Sequence, residues 1–179
     1  SLSMRAGRDV MEELAFLDMP GVSLEVAMEP VPLGTGGGDR VEFLIAANPG
    51  EPPKPIARIA SGGELSRIML AIKSVLADAD DIDTLIFDEI DTGISGRAAR
   101  KVGIKLRQTA ASRQVLCVTH LAQIASLAHH HLLISKTVRE GRTYTEVTPL
   151  DREARERELA RIIGGEVTGP ALEAAREML

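Results

Sequence analysis

Residues 84–93 read TLIFDEIDTG: a short apolar run, Leu85 to Phe87, passes straight into Asp88 and Glu89, with Asp91 two residues on. Three apolar residues bounded by polar ones fit a buried strand better than a helix. A second run, RQVLCVTH at residues 113–120, repeats the pattern and ends on His120. Between the two, residues 96–111 carry helical spacing. Strand, helix, strand predicts an α/β chain with a mainly parallel sheet flanked by helices. In such a sheet the functional groups collect at the C-terminal strand ends.

Upstream, IASGGELSR at residues 59–67 opens a helix whose Leu65, Ile68, Met69, Ile72, Val75 and Leu76 make a wide apolar face. Gly62 and Gly63 stand in its first turn, although glycine costs about 1 kcal/mol against alanine inside a helix. Ser61 and Glu64 have capping-box spacing, which explains the helix start but not the glycines. Bare backbone at a helix N-terminus lets a phosphate approach the amide groups, and the helix dipole favours the anion. From Asp78 to Asp91 there are seven carboxylates and no basic residue. Such crowding is costly unless a cation or phosphate chemistry uses it. Asp88 is then expected to help hold Mg²⁺ through water, and Glu89 to polarise an attacking water. The plain alternative is an acidic strand-end loop; the aspartate spacing and glycine position do not fit an EF-hand. His120 ends the neighbouring strand, so in a parallel sheet it faces the same crevice as Asp88 and Glu89, unless it is a hydrogen-bonded structural histidine.

The remainder reads as ordinary globular sequence. Residues 1–19 form a helix with Val10, Leu14 and Leu17 on one stripe, and a start on a polar helix suggests a fragment of something longer. VSLEVAME (22–29) and RVEFLIAA (40–47) alternate as strands around GTGGGD, a hairpin; NPGEPPKP (48–55) is an irregular proline-rich loop. HHLLISK and TYTEVTPL flank REGR as a second hairpin, and helices at 151–163 and 169–179 close the chain. Net charge is −5 and the aromatics are Phe16, Phe43, Phe87 and Tyr144 alone. A platform that stacks single-stranded bases is excluded by that composition. One cysteine, Cys117, fits a buried strand thiol in a reducing, cytoplasmic setting. No run is long and apolar enough for a membrane helix, and no secretory leader pattern opens the chain. From Arg97 to Arg113 six basic residues occur without an acid, either an ordinary solvated helix face or a DNA contact. The run His129 to His131 has no carboxylate or cysteine near it in sequence and does not read as a metal site.

The motifs together carry a family resemblance. SGGELSR is similar to the signature motif of the ABC-type ATPases, LIFDEIDTG to their Walker B strand with catalytic glutamate and D-loop, and VTH to their switch histidine. Glu64, where transporters usually carry glutamine, points to the SMC-like chromosome-maintenance and repair branch. The longer strings NPGEPPKPIARIASGGELSRIMLA, IFDEIDTGISGRAA and VTHLAQIA, with LARIIGG and AREML near the end, resemble the RecN family of bacterial DNA-repair proteins over roughly residues 22–179.

That resemblance implies the C-terminal lobe of an ABC-type head, a P-loop NTPase fold, over residues 20–179, with residues 1–19 ending a returning coiled-coil arm. It implies that Ser61, Gly62, Gly63 and Glu64 meet ATP bound on a second head, in trans. Asp88 becomes the Mg²⁺ aspartate, Glu89 the general base, Asp91 the D-loop aspartate and His120 the γ-phosphate sensor. Ser95-Gly96 stands where the branch usually has a second D-loop aspartate, so only Asp91 is carried over. No G-x-x-x-x-G-K-[ST] occurs; the resemblance assigns that Walker A loop to an N-terminal lobe, without which ATP hydrolysis is expected to be negligible. The implied partners are that lobe, a second head and DNA, with no membrane, in the cytoplasm at the nucleoid. Two rivals stay open: a transporter's nucleotide-binding subunit, and a non-catalytic module that only dimerises.

Overall fold

The computed structural model of the chain describes residues 2–35, 37–59, 61–77 and 81–179, the first few in backbone alone. Asp78 and Asp80 of the acidic run lie outside the described residues. The chain divides into two compact units, Ser1–Ile94 with Thr109–Val118 and Ser95–Gln108 with Thr119–Leu179.

In the first unit, helix α1 (Leu2–Phe16) packs against helix α2 (Gly62–Val75) and strand β1 (Ser23–Gly34). Val10 and Leu14 supply the buried stripe of α1, followed by Leu17 just past its end. β1 pairs antiparallel with β2 (Gly37–Ala46), from Ser23↔Ala46 to Gly34↔Gly37. The predicted hairpin is therefore present, and its alternation is graded. Val22 is buried, Leu24 and Val26 half-buried, and Met28 exposed, so only the root of the hairpin belongs to the core. The proline-rich loop is less irregular than expected: Lys54–Pro55 forms a short edge strand, β3, against β2. A proline is tolerated there because an edge position leaves its missing N–H without consequence.

Strands β4 (Thr84–Phe87) and β5 (Gln114–Cys117) pair in parallel, Thr84↔Gln114 through Phe87↔Cys117. The mixed α/β class holds, but the sheet is not mainly parallel. Among the described residues parallel pairing is confined to β4–β5, while β1–β2–β3 and a later hairpin are antiparallel. The reason is connection length: a parallel pair needs a long crossover, and short turns join the other strands. β4 is also one-sided. Leu85 and Phe87 are buried, whereas Ile86 is 71% exposed, and Leu116 and Val118 beside it are exposed too.

The second unit holds helix α3 (Gly96–Thr109), the short α4 (Ala122–Ala125), the hairpin β6 (Leu132–Arg139) and β7 (Arg142–Pro149), and helices α5 (Arg152–Gly164) and α6 (Gly169–Met178). Its helical core is built from small residues, Ala122, Ala125, Ala160, Ala171 and Ala175 around Leu159. Small side chains let helices approach closely. At Gly103 a Cβ would lie 2.8 Å from Leu127 Cδ1 and 3.1 Å from the Gln123 carbonyl. Asp151 and Thr168 cap α5 and α6 by accepting from Ala154 and Ala171 N–H, and Gly165 ends α5 at φ 76°. β6 starts at Leu132, so the three histidines precede the strand instead of opening it.

Candidate functional site

The first unit brings SGGE and DEID together. Ser61 is the N-cap of α2, its Oγ accepting from Glu64 N–H at 3.4 Å. This is one arm of the expected capping box; among the described residues Glu64 does not return the bond. Past the cap, α2 grips the backbone that leaves β4. Ser66 Oγ donates to the Asp88 carbonyl at 2.8 Å. Arg67 Nη1 donates to the Ile90 carbonyl at 3.1 Å and to the Thr92 carbonyl at 2.9 Å. Three alternate carbonyls of the turn are thus held by consecutive side chains of one helix.

This grip explains the glycines. A Cβ on Gly62 would run into the Glu89 carboxylate, and one on Gly63 would lie 2.7 Å from the Thr92 carbonyl and 3.1 Å from Arg67 Nη1. Bare backbone is required at Gly63, where the Thr92 carbonyl occupies the space a methyl group would take; at Gly62 a methyl group would displace the exposed Glu89 carboxylate from its place against the helix start. Glu89 itself stands at φ 57°, a left-handed conformation that costs a non-glycine residue roughly 1–2 kcal/mol. The turn is secured locally by Asp88 Oδ1, which accepts from Glu89 N–H at 2.8 Å, and by Thr92 N–H donating to the Glu89 carbonyl at 3.0 Å. Asp91 is buried, at 4% exposure, while Asp88 and Glu89 are exposed.

Arg67, which sequence reasoning passed over, belongs to this site, and Cys117, read only as a strand thiol, lies within its influence. Arg67 is 6% exposed, and burial holds its pKa below the ordinary value, with Glu64 opposing the shift. Its signal lay in the helical period, since Arg67 is one turn from Gly63 on the same side of α2. Cys117, at the end of β5, feels the same acidic turn. Burial first, then Asp91 and Asp88, push its thiol up to about 12. His120 is exposed and belongs to the second unit, in a turn where Thr119 Oγ1 accepts from Leu121 N–H at 3.1 Å.

The fit to a magnesium ion follows from the donors present. Among the described residues no three His, Cys, Asp or Glu side chains converge as a ready-made cage, at His129–His131 or elsewhere. Asp88 offers one exposed carboxylate beside a helix N-terminus with bare backbone. That donor set suits Mg²⁺, which keeps several waters and takes one or two carboxylates together with phosphate oxygens.

No family model matches the chain. Curated relatives do. It is 47% identical over 152 residues to the DNA repair protein RecN of Bacillus subtilis, covering 84% of this chain and 26% of that protein. With RecN of Halalkalibacterium halodurans it shares 43% identity over 184 residues, 99% of this chain and 33% of the relative. The corresponding figures for Vibrio cholerae RecN are 46% over 170 residues, 94% and 30%. The chain belongs to the RecN family. It spans about a quarter to a third of the length of the curated relatives it matches. Among solved structures, the Smc head domain of Pyrococcus yayanosii aligns over 98% of this chain and 29% of its own at a TM-score of 0.60 and 20% identity. A chain from a study of ATP-driven dimerization and DNA stimulated activation of SMC ATPases aligns over 90% of this chain and 96% of its own, with a TM-score of 0.52 and 22% identity. At such identities the likeness shows the fold: that of an SMC-type head.

Proposed function

We propose that this RecN-family chain is the C-terminal lobe of an ATP-hydrolysing head that acts in DNA double-strand-break repair and recombination. The observation that carries the reading is the packing of Gly62 and Gly63 against Glu89 and Thr92. It joins the phosphate-binding type of helix start and the carboxylate pair in one place. Glu89 orients the attacking water and takes its proton, the role of a carboxylate base in phosphoryl transfer. Asp88 is the residue that would hold Mg²⁺, through water, and the buried Asp91 fixes the D-loop turn. Bound Mg²⁺ would supply charge neutralisation at the phosphates. Ser61, Gly62, Gly63 and Glu64 present the N-terminus of α2 to ATP bound on a second head, and His120 senses the γ-phosphate. An N-terminal lobe supplies the Walker A loop, and α1 ends the returning coiled-coil arm. The exposed Ile86, Leu116 and Val118 on the open face of β4–β5 suit contact with that lobe. The setting is cytoplasmic and nucleoid-associated, and no described helix is long and apolar enough to cross a membrane.

The test is ATP turnover by the chain joined to a RecN N-terminal lobe, with and without Glu89→Gln. The substitution is expected to leave ATP binding intact and to slow turnover by about a hundredfold or more. The rate should rise more than linearly with protein concentration if heads fire by dimerising. Absence of turnover in a folded, ATP-binding wild type would reduce DE to a structural turn and favour a module that only dimerises.

A further inference from the structure

From Thr92 to Arg139 the sequence contains no aspartate or glutamate, yet it carries eight lysines and arginines in a chain of net charge −5. Five of the eight, Arg97, Arg100, Lys101, Lys105 and Arg107, lie on α3. One side of this helix is buried through Ala99, Val102 and Leu106, and the helical period distributes all five cations over the other half. Arg97, Arg100 and Arg107 are exposed and make no ion pair among the described residues. Helix α5 of the same unit is the contrast. There Arg152 pairs with Glu156, Arg157 with Glu153 and Arg161 with Glu158.

Stability does not explain the α3 pattern. Cations crowd its N-terminal half, where the helix dipole disfavours positive charge, and no acid occupies its first turn. Arg107 is also felt within the unit: Arg155 is held below the ordinary arginine value by burial first and then by Arg107 and Arg152. The exposed Arg97, Arg100 and Arg107, without an ion pair among the described residues, make a positive surface suited to an external anion.

We propose that the exposed face of α3 binds the phosphate backbone of duplex DNA without reading its sequence. Arg97 to Arg107 covers about 15 Å of helix axis, and a duplex presents one negative charge for about every 1.7 Å of its length. The guanidinium fork matches phosphate oxygens. A duplex is favoured over a single strand because the chain has almost no aromatic side chains to stack on bases. A lipid surface is disfavoured because the apolar side of α3 is already buried, leaving no apolar face to insert. This inference is independent of ATP chemistry, so its failure would leave the ATPase reading untouched.

The test is fluorescence anisotropy of the chain with a labelled duplex of about 20 base pairs, titrated across about 50–200 mM salt. The triple variant Arg97→Gln, Arg100→Gln, Arg107→Gln is expected to bind about tenfold or more weakly. Its slope of log affinity against log salt should be shallower by about 2 to 3, since each phosphate contact contributes about 0.9. The corresponding triple lysine variant should retain most of the binding. Arg157→Gln with Arg176→Gln, which removes ion-paired charges from α5 and α6, should leave it within about twofold. Should the glutamine triple fold poorly by circular dichroism, Arg100→Glu alone must still lower the slope by at least about 1. Wild-type affinity and slope in the glutamine triple would overturn the proposal. So would no duplex binding by the wild type, or equal losses in the α5–α6 control.

Discussion

The end of β4 and helix α3 are neighbours in sequence and opposites in charge. Seven carboxylates fall between Asp78 and Asp91, and no acid follows until Glu140. The acidic side is pinned: Asp88, Ile90 and Thr92 give their carbonyls to Ser66 and Arg67, and Asp91 is buried. The basic side is not. Arg97, Arg100 and Arg107 stand in solvent on a helix whose other face is in the core. A site that must present carboxylates at fixed positions needs its backbone held from outside, because short acidic side chains have no reach. A surface that meets a polyanion can leave the adjustment to long arginine side chains and needs only a rigid rod beneath them.

If the acidic turn depends on α2, removing Arg67 should have the largest effect. Arg67→Ala strips the bonds from two carbonyls, one of them on the buried Ile90. It is expected to cost about 2–4 kcal/mol, from the worth of hydrogen bonds to charged groups, read as a lower urea midpoint. Lysine at the same position, lacking the fork, should recover only part of the loss. Unchanged stability in Arg67→Ala would break the contrast between a pinned and an unpinned region.

Cys117 gives a smaller effect, set by burial first and by the acidic turn second. Its thiol moves from an ordinary value of 9.0 up to about 12 when the chain folds. The folded state therefore favours the protonated form, and the stability this group contributes is complete below pH 9 and declines as pH rises from there toward 12. Cys117→Ser should flatten that alkaline decline. At about pH 8 the native thiol should react with iodoacetamide about tenfold or more slowly than the urea-unfolded chain, because the thiolate is the nucleophile. Equal rates would mean that neither burial nor the acidic turn raises the thiol.

The smallest effect belongs to α3. Replacing Arg97, Arg100 and Arg107 together with glutamine should shift folding stability by no more than about 0.5 kcal/mol, as expected of exposed side chains away from packing. A loss like that of Arg67→Ala would mean that these arginines serve the fold.

Much of the fold was legible because local patterns agree with their surroundings. The hairpin of β1 and β2, the hairpin of β6 and β7, and the helices at α2, α3, α5 and α6 all follow from period and turn residues. The parallel sheet was overestimated because a strand's apolar run does not reveal how many parallel partners it has. Lys54–Pro55 was read as irregular because edge pairing is a tertiary fact. Of the candidate site, Ser61 announced itself by cap spacing, and Asp88 and Glu89 by their place after an apolar run. Arg67 did not, since an arginine on an apolar helix face reads as a snorkelling surface residue until its acceptors are known.

Sequence alone determined the chemical inventory here: two glycines at a helix start, a carboxylate pair after a short strand, an acid-free basic helix and long strings shared with the RecN family. These are local features, written within a few residues of one another and readable from spacing. Tertiary structure decided what the glycines are for. Gly62 and Gly63 make room for Glu89 and Thr92, about thirty residues away in the chain, and only folding brings such distant backbone into contact, because steric exclusion acts through space and leaves no mark in spacing.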